Sequence, residues 1–118
     1  MYSCRSSGRL MALAVPKLVI GQELVSREFQ ISRESLVRYA GASGDFNPIH
    51  YRDDIAKSVG LPGVIAHGML TMGVAIQPLV DWCGTTFALQ TYQVRFIKPV
   101  VVDAGEGATL AVHIVVAA

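Results

Sequence analysis

Apolar positions recur along this chain with two different periods. In two stretches, around 34–44 and 64–84, they return every third or fourth residue, as on one side of a helix. After Gly84 they return every second residue, as along a strand. The first helical stretch, ESLVRYAGASG, follows Ser32, whose hydroxyl can accept from a free first-turn amide. Its apolar stripe is Leu36, Val37, Tyr39 and Ala40, and Gly41 and Gly44 offer an exit. In VIAHGMLTMGVAIQPLVDWCG, Met69, Gly73, Ile76, Val80 and Cys83 fall at helical spacing, and so do Leu70, Val74 and Gln77. A segment apolar nearly all round predicts a buried helix. Gly68 and Gly73 permit close approach by other backbone, and Pro78, which has no amide proton, predicts a kink or interruption near the last turns.

The period of two predicts a strand over LQTYQVRFI, with Tyr92, Val94 and Phe96 opposite Gln93, Arg95 and Ile97. A second strand takes in residues 100–102, DAGEG is a turn, and Leu110, Val112, Ile114 and Val116 alternate with Ala111, His113 and Val115 in a third strand. Upstream, Leu18–Phe29 reads as one or two short strands with a turn at Gly21. Asp53–Val59 reads as one or two helical turns ending at Gly60, and Leu61-Pro62-Gly63 as a turn. The order is strand, helix, loop, buried helix, then antiparallel strands. An antiparallel sheet wrapped around the apolar helix satisfies it, because that helix has no face suited to water, so the class is α+β.

Length and composition narrow this further. The chain has 118 residues, which suits one small domain, and is 52% hydrophobic and 16% charged, as a packed core requires. A net charge of +1 gives no strong attraction to nucleic acid or anionic lipid. Cys4 and Cys83 are too few for a disulfide framework and lack zinc-site spacing, which favours a reducing compartment, the cytoplasm. The apolar run LMALAV follows Arg5 and Arg9 but is shorter than a secretory core, and Pro16 and Lys17 come directly after it. Residues 1–10 are therefore expected as a disordered or misassigned extension, with Met11 as an alternative start. The apolar stretch from Val59 to Val80 is interrupted by Pro62, His67, Pro78 and several glycines, so no membrane span is expected.

The loop GDFNPIH, residues 44–50, carries the candidate chemistry. Asp-x-Asn-Pro is good turn chemistry, and Asn47, preceding Pro48, is expected to be extended. Turn formation alone does not account for His50, whose residue type gains and loses a proton near neutral pH. Asp45 can share proton transfer where its surroundings favour it. Gly68 stands where the buried helix is expected to begin, and a free amide there, with the helix dipole behind it, suits a developing oxyanion.

The stretch YAGASGDFNPIHYRDDIAKSVGLPGVIAHGMLTMG, together with the later Tyr-x-Val-Arg-Phe, resembles the hydratase motif of the MaoC-like, (R)-specific enoyl-CoA hydratases. The likeness runs from about Leu18 to about Val116 and extends to actinobacterial MaoC-domain dehydratases of the (3R)-hydroxyacyl-ACP dehydratase B-subunit type. It implies a hot-dog fold. It also implies reversible hydration of trans-2-enoyl thioesters, on CoA or acyl carrier protein, to (R)-3-hydroxyacyl thioesters. On this resemblance Asp45 and His50 match the catalytic dyad that holds one water, Asn47 supports their loop, and the backbone N–H of Gly68 receives the thioester oxygen. A homodimer, or a heterodimer with another hot-dog subunit, is implied as well. The rivals are a hot-dog thioesterase and a subunit active only with its partner. A thioesterase carboxylate would be sought on the central helix, where only Asp81 stands, near the end.

The chain departs from the family at two places. Ile76 occupies a position where some relatives carry Ser. Ala118 falls where one or two further strands are usual, so residues 11–118 are expected as a hot-dog domain lacking its last strand or strands. Asp45, His50, Asp53 and Asp54 match no strong metal-ligand spacing, and no dinucleotide or phosphate-loop glycine pattern occurs, so neither metal nor cofactor is expected. Arg52, Lys57, Arg95 and Lys98 are candidates for carrier phosphates or ordinary solvated charges. His67 reads as an active-site neighbour, a helix cap or a buried hydrogen-bonded residue, outside the catalytic set. His113 reads as structural or surface.

Overall fold

The structure is a computed structural model that describes residues 2–5 and 16–117. Strand β1 (Tyr2–Arg5) is followed by β2 (Glu23–Ile31), α1 (Arg33–Ser43), a 3-10 turn at Pro48–His50 and α2 (Asp53–Ser58). Then come α3 (Gly68–Cys83), β3 (Ala88–Tyr92) and β4 (Ala108–Val115). Strands β2 and β4 pair antiparallel from Glu23 opposite Val115 to Ile31 opposite Ala108, with a register shift between Glu23 and Val25. The two-residue alternation expected in β4 is kept: Val112 and Ile114 are buried, and Ala111, His113 and Val115 face out. Entry to β4 requires glycine. Gly107 has a φ of 71°, and a Cβ there would lie 2.5 Å from the Ile31 carbonyl oxygen.

The local signals of α1 are realised as expected. Ser32 Oγ accepts from the Ser35 amide at 3.2 Å, and Ser35 Oγ accepts from the Ser32 amide at 3.2 Å, so two free donors are satisfied reciprocally. Gly44, with a φ of 77°, ends the helix and donates to the Ala40 carbonyl at 2.9 Å. Leu36 and Ala40 point into the core, whereas Val37 is exposed. Arg33 then ties three segments together. Its Nη2 donates to both Asp53 carboxylate oxygens, at 2.9 and 3.1 Å, and its Nε donates to the Val102 carbonyl. Asp53 also accepts from the Val64 amide at 2.9 Å. That amide first, and the Arg33 guanidinium second, hold the Asp53 carboxyl below its ordinary range.

Helix α3 packs Ile76, Leu79 and Cys83 against Val112 and Ile114, with Leu24, Val25 and Phe29 of β2 alongside. It runs through Pro78, which is buried, without the interruption expected there. The expectation that α3 is buried on every side needs correction. Met69, Gly73, Gln77 and Val80 form an exposed stripe at near-fourfold spacing. The β2–β4 pair covers one side, and β3 meets another through the Tyr92 hydroxyl, which donates to the Met72 carbonyl at 2.7 Å. No element among the described residues covers the remaining stripe.

Two further expectations are revised. The strand predicted over LQTYQVRFI stops at Tyr92, and residues 93–99 join no ladder. Alternation supplies strand geometry, but a strand persists only against a neighbouring backbone, and Pro99 has no amide to donate. The stretch 100–102 makes a short bridge: Ala66 donates to Val100 at 2.8 Å and Val102 to Val64 at 2.9 Å. Within the expected extension 1–10, Tyr2–Arg5 form β1, antiparallel to β3 with Tyr2 opposite Tyr92. Residues 6–15, including Met11 and all of LMALAV, lie outside the described residues. No helix among the described residues is long and apolar enough to cross a membrane.

Candidate active site

The loop after α1 is built by its own side chains. Gly44 turns the chain out of the helix, and the Asp45 amide donates to Ser43 Oγ at 3.1 Å. Asp45 Oδ1 accepts from the Asn47 amide at 3.2 Å, and Asn47 Oδ1 accepts from the Ile49 amide at 3.2 Å. Asn47 thereby caps the 3-10 turn whose first residue is Pro48. Asp45 and Asn47 are thus turn formers, as their residue types allow, and the turn they make carries His50 into the interior. His50 is 8% exposed. Its Nδ1 lies 2.7 Å from the Ile65 carbonyl oxygen, which can only accept, so Nδ1 carries the proton and Nε2 presents its lone pair. That Nε2 is 4.0 Å from Asp45 Oδ2. The Asp45 side chain is half exposed, with one oxygen committed to the loop and the other facing the imidazole.

His50 borders two cavities. The first, of about 300 Å³, is lined by His50, Ile65, Ala66, Gly68, Thr71 and the segment from Phe96 to Val100, Lys98 included. Gly68 is the first residue of α3, so its amide has no partner one helical turn back, and the positive end of the helix dipole lies there. A Cβ at Gly68 would come within 3.2 Å of Phe96 Cζ, which shows how closely that ring covers the helix start. The second cavity, of about 240 Å³, is lined by Leu36, Val37, Ala40, Phe46, His50 and Tyr51.

The structure therefore sets Asp45 beside His50 on the loop that Asn47 caps, and puts His50 and Gly68 on one cavity, which neither Asp45 nor Asn47 lines. It adds residues that the sequence left aside: Thr71 and Phe96 on the cavity wall, and His67 beneath the dyad. His67 stands at the N-cap of α3, yet its side chain makes no capping bond. It is instead buried and hydrogen-bonded, with Nε2 3.2 Å from the Asp45 carbonyl oxygen. The only signal for it in the sequence was its position next to Gly68. Ile76 lies in the core, not among the residues lining either cavity.

Asp45, His50 and His67 offer ligand atoms within 4.8 Å of one another, as a metal site would. The two imidazoles, however, are stacked with 23° between their planes, so their in-plane lone pairs run side by side and do not converge on a tetrahedral centre. Asp53 and Asp54 are committed elsewhere, to Arg33 and to Arg52. That second pair also removes Arg52 as a simple free cation. His113 lies on the surface beside Ser26 and Glu23.

Residues 17–117 match the family model described as MaoC like domain. The chain is 38% identical over 78 residues to the 3-hydroxyacyl-thioester dehydratase X of Mycobacterium tuberculosis, a match covering 66% of this chain and 27% of that protein. It thus spans little more than a quarter of that relative's length. Among solved structures it is similar to a MaoC-like dehydratase at 45% identity with a TM-score of 0.70, over 80% of this chain and 29% of that one. It also shares its fold with an (R)-hydratase from A. caviae involved in PHA biosynthesis. There the identity is 23% and the TM-score 0.72, over 91% of this chain and 76% of that one.

Proposed function

The chain belongs to the MaoC-like domain family and has the hot-dog fold, and from that premise we propose that it hydrates trans-2-enoyl thioesters to (R)-3-hydroxyacyl thioesters, reversibly. One observation carries the reading: the lone pair of His50 Nε2 faces the Asp45 carboxylate across 4.0 Å, beside a cavity that also reaches the start of α3. A gap of that size suits one bridging water, at about 2.8 Å from each group. The dyad takes a proton from that water as its oxygen bonds to C3 of the enoyl group. The electron pair of the double bond moves toward the thioester carbonyl, and the Gly68 N–H donates to the enolate oxygen. The proton held by the dyad then passes to C2 on the same face, so water is added whole and the protein is unchanged. Asn47 keeps the two groups in register through its cap on the turn.

The carrier is CoA or acyl carrier protein, and Lys98 on the cavity wall is the cation best placed for its phosphate. The functional unit is a pair of hot-dog chains, either two copies or this chain with a partner subunit. Val94, Phe96 and Ile97, exposed beside the cavity at 37%, 55% and 83%, support that reading. Placement in the cytoplasm rests on cysteine usage. The test is a steady-state assay on crotonyl-CoA that follows loss of the enoyl absorbance, the configuration of the product and release of free thiol, beside the protein's mass in solution. Formation of the (R)-3-hydroxy product without thiol release is expected. Thiol release alone would make the protein a thioesterase, a reading that Asp81 does not favour, since it sits near the end of α3 and is paired with Arg27 at 2.9 Å.

A further inference from the structure

Resting on the reaction proposed above, we infer that His67 is a positioning residue that sets Asp45 and His50 relative to each other. It is 1% exposed, and a buried imidazole costs more than an aliphatic side chain of similar size unless its polar atoms are paired. Only one of them is. Nε2 lies 3.2 Å from the Asp45 carbonyl oxygen, so it carries the proton, while Nδ1 is buried with no hydrogen-bond partner. An unpaired nitrogen in a tightly closed site is poor design for stability alone. What the ring does is contact the dyad twice. Its hydrogen bond ties down the Asp45 backbone from 22 positions away in the chain, where the loop's other hydrogen bonds at Asp45 and Asn47 reach two or three residues. Its face stacks on His50 with centroids 3.8 Å apart, and Tyr39 holds it edge-on from behind at 4.7 Å.

These contacts complement what His50 already has. The bond from His50 Nδ1 to Ile65 fixes one corner of the ring and leaves it free to rock about that corner. A flat neighbour 3.8 Å away removes the rocking and so fixes where Nε2 points. His67 is also joined directly to Gly68, the proposed oxyanion donor. One buried side chain thus links the three groups of the proposed mechanism without itself facing the cavity.

The test uses variants that each keep one of the two contacts. His67→Phe keeps a flat ring and loses the donor; His67→Gln keeps a donor at a similar reach and loses the ring. Each is expected to lower kcat about tenfold with KM within about twofold of wild type, and His67→Ala to lower kcat about a hundredfold, as small misplacements of reacting groups do. A readout independent of turnover is the His50 Cε1–H resonance, which feels the neighbouring ring. It should move in His67→Gln and stay near its wild-type position in His67→Phe. Wild-type kcat in both filled variants overturns the inference, as does a KM rise at unchanged kcat, or a kcat loss no larger than the loss of folded protein. A wild-type chain that hydrates no enoyl thioester refutes the reaction instead, and the resonance then still reports whether the stack exists.

Discussion

The two walls of the larger cavity are held in opposite ways. The loop that carries the dyad, Gly44–His50, reaches the cavity through His50; it satisfies its backbone with side chains two residues away and is pinned from below by Ile65 and His67. The facing wall, residues 93–99, joins no ladder, exposes Val94, Phe96 and Ile97, and is held at its two ends, by Tyr92 on β3 and where Val100 and Val102 meet Ala66 and Val64. Proton transfer needs groups fixed to a fraction of an ångström, and a short loop with its own caps provides that. Contact with an acyl thioester, or with a second chain, needs apolar surface that can adjust. Rigidity is concentrated where the proposed chemistry lies.

The largest effect should come from the rigid wall. Asp45→Asn and His50→Gln are each expected to lower hydration kcat about 10²–10⁴-fold. Asp45→Asn should leave Tm near wild type, because its side chain is half exposed. Steady-state kinetics with thermal melts measure both, and a wild-type rate in either variant would break the dyad assignment. Asn47→Ala removes the acceptor for the Ile49 amide, a cap of the kind worth about 1 kcal/mol. A loss of about tenfold in kcat is expected from the loosened turn. Asn47→Asp, which keeps the acceptor, should recover most of it.

The adjustable wall should respond in KM. Gly68→Ala puts a Cβ within 3.2 Å of Phe96 Cζ, and the exposed ring can swing away at the cost of the cavity's shape. A rise of several-fold in KM is expected, and a smaller rise from the same change in a Phe96→Ala background. A double-mutant cycle reads the coupling, and equal penalties in both backgrounds would separate the ring from the site. The smallest effect concerns the anchor between the walls. The Val64 amide and Arg33 lower the Asp53 carboxyl relative to the unfolded chain. A lowered folded value means stabilisation that is present above the unfolded carboxylate range, about pH 4, and lost as pH falls through the folded value. Tm should therefore decline below about pH 4, with a shallower acid slope in Asp53→Asn, as thermal melts across pH would record.

What was legible in the sequence is what neighbours along the chain decide. The cap at Ser32, the exit at Gly44, the turn made by Asp45 and Asn47, and the delivery of His50 onto it all use bonds spanning a few residues, so residue type and spacing suffice. The alternation of β4 was legible for the same reason. Where distant segments meet was not. Tyr92-Val94-Phe96 has the right period for a strand, yet the ladder ends at Tyr92, because pairing depends on which backbone lies alongside. α3 reads as apolar all round, yet Met69 and Val80 are exposed, because burial depends on what covers a face and not on the face itself. His67 shows the division most directly. Its place beside Gly68 was plain, but stacking on His50 and bonding to Asp45 join residues 17 and 22 positions apart, and only the packed chain could bring those atoms together.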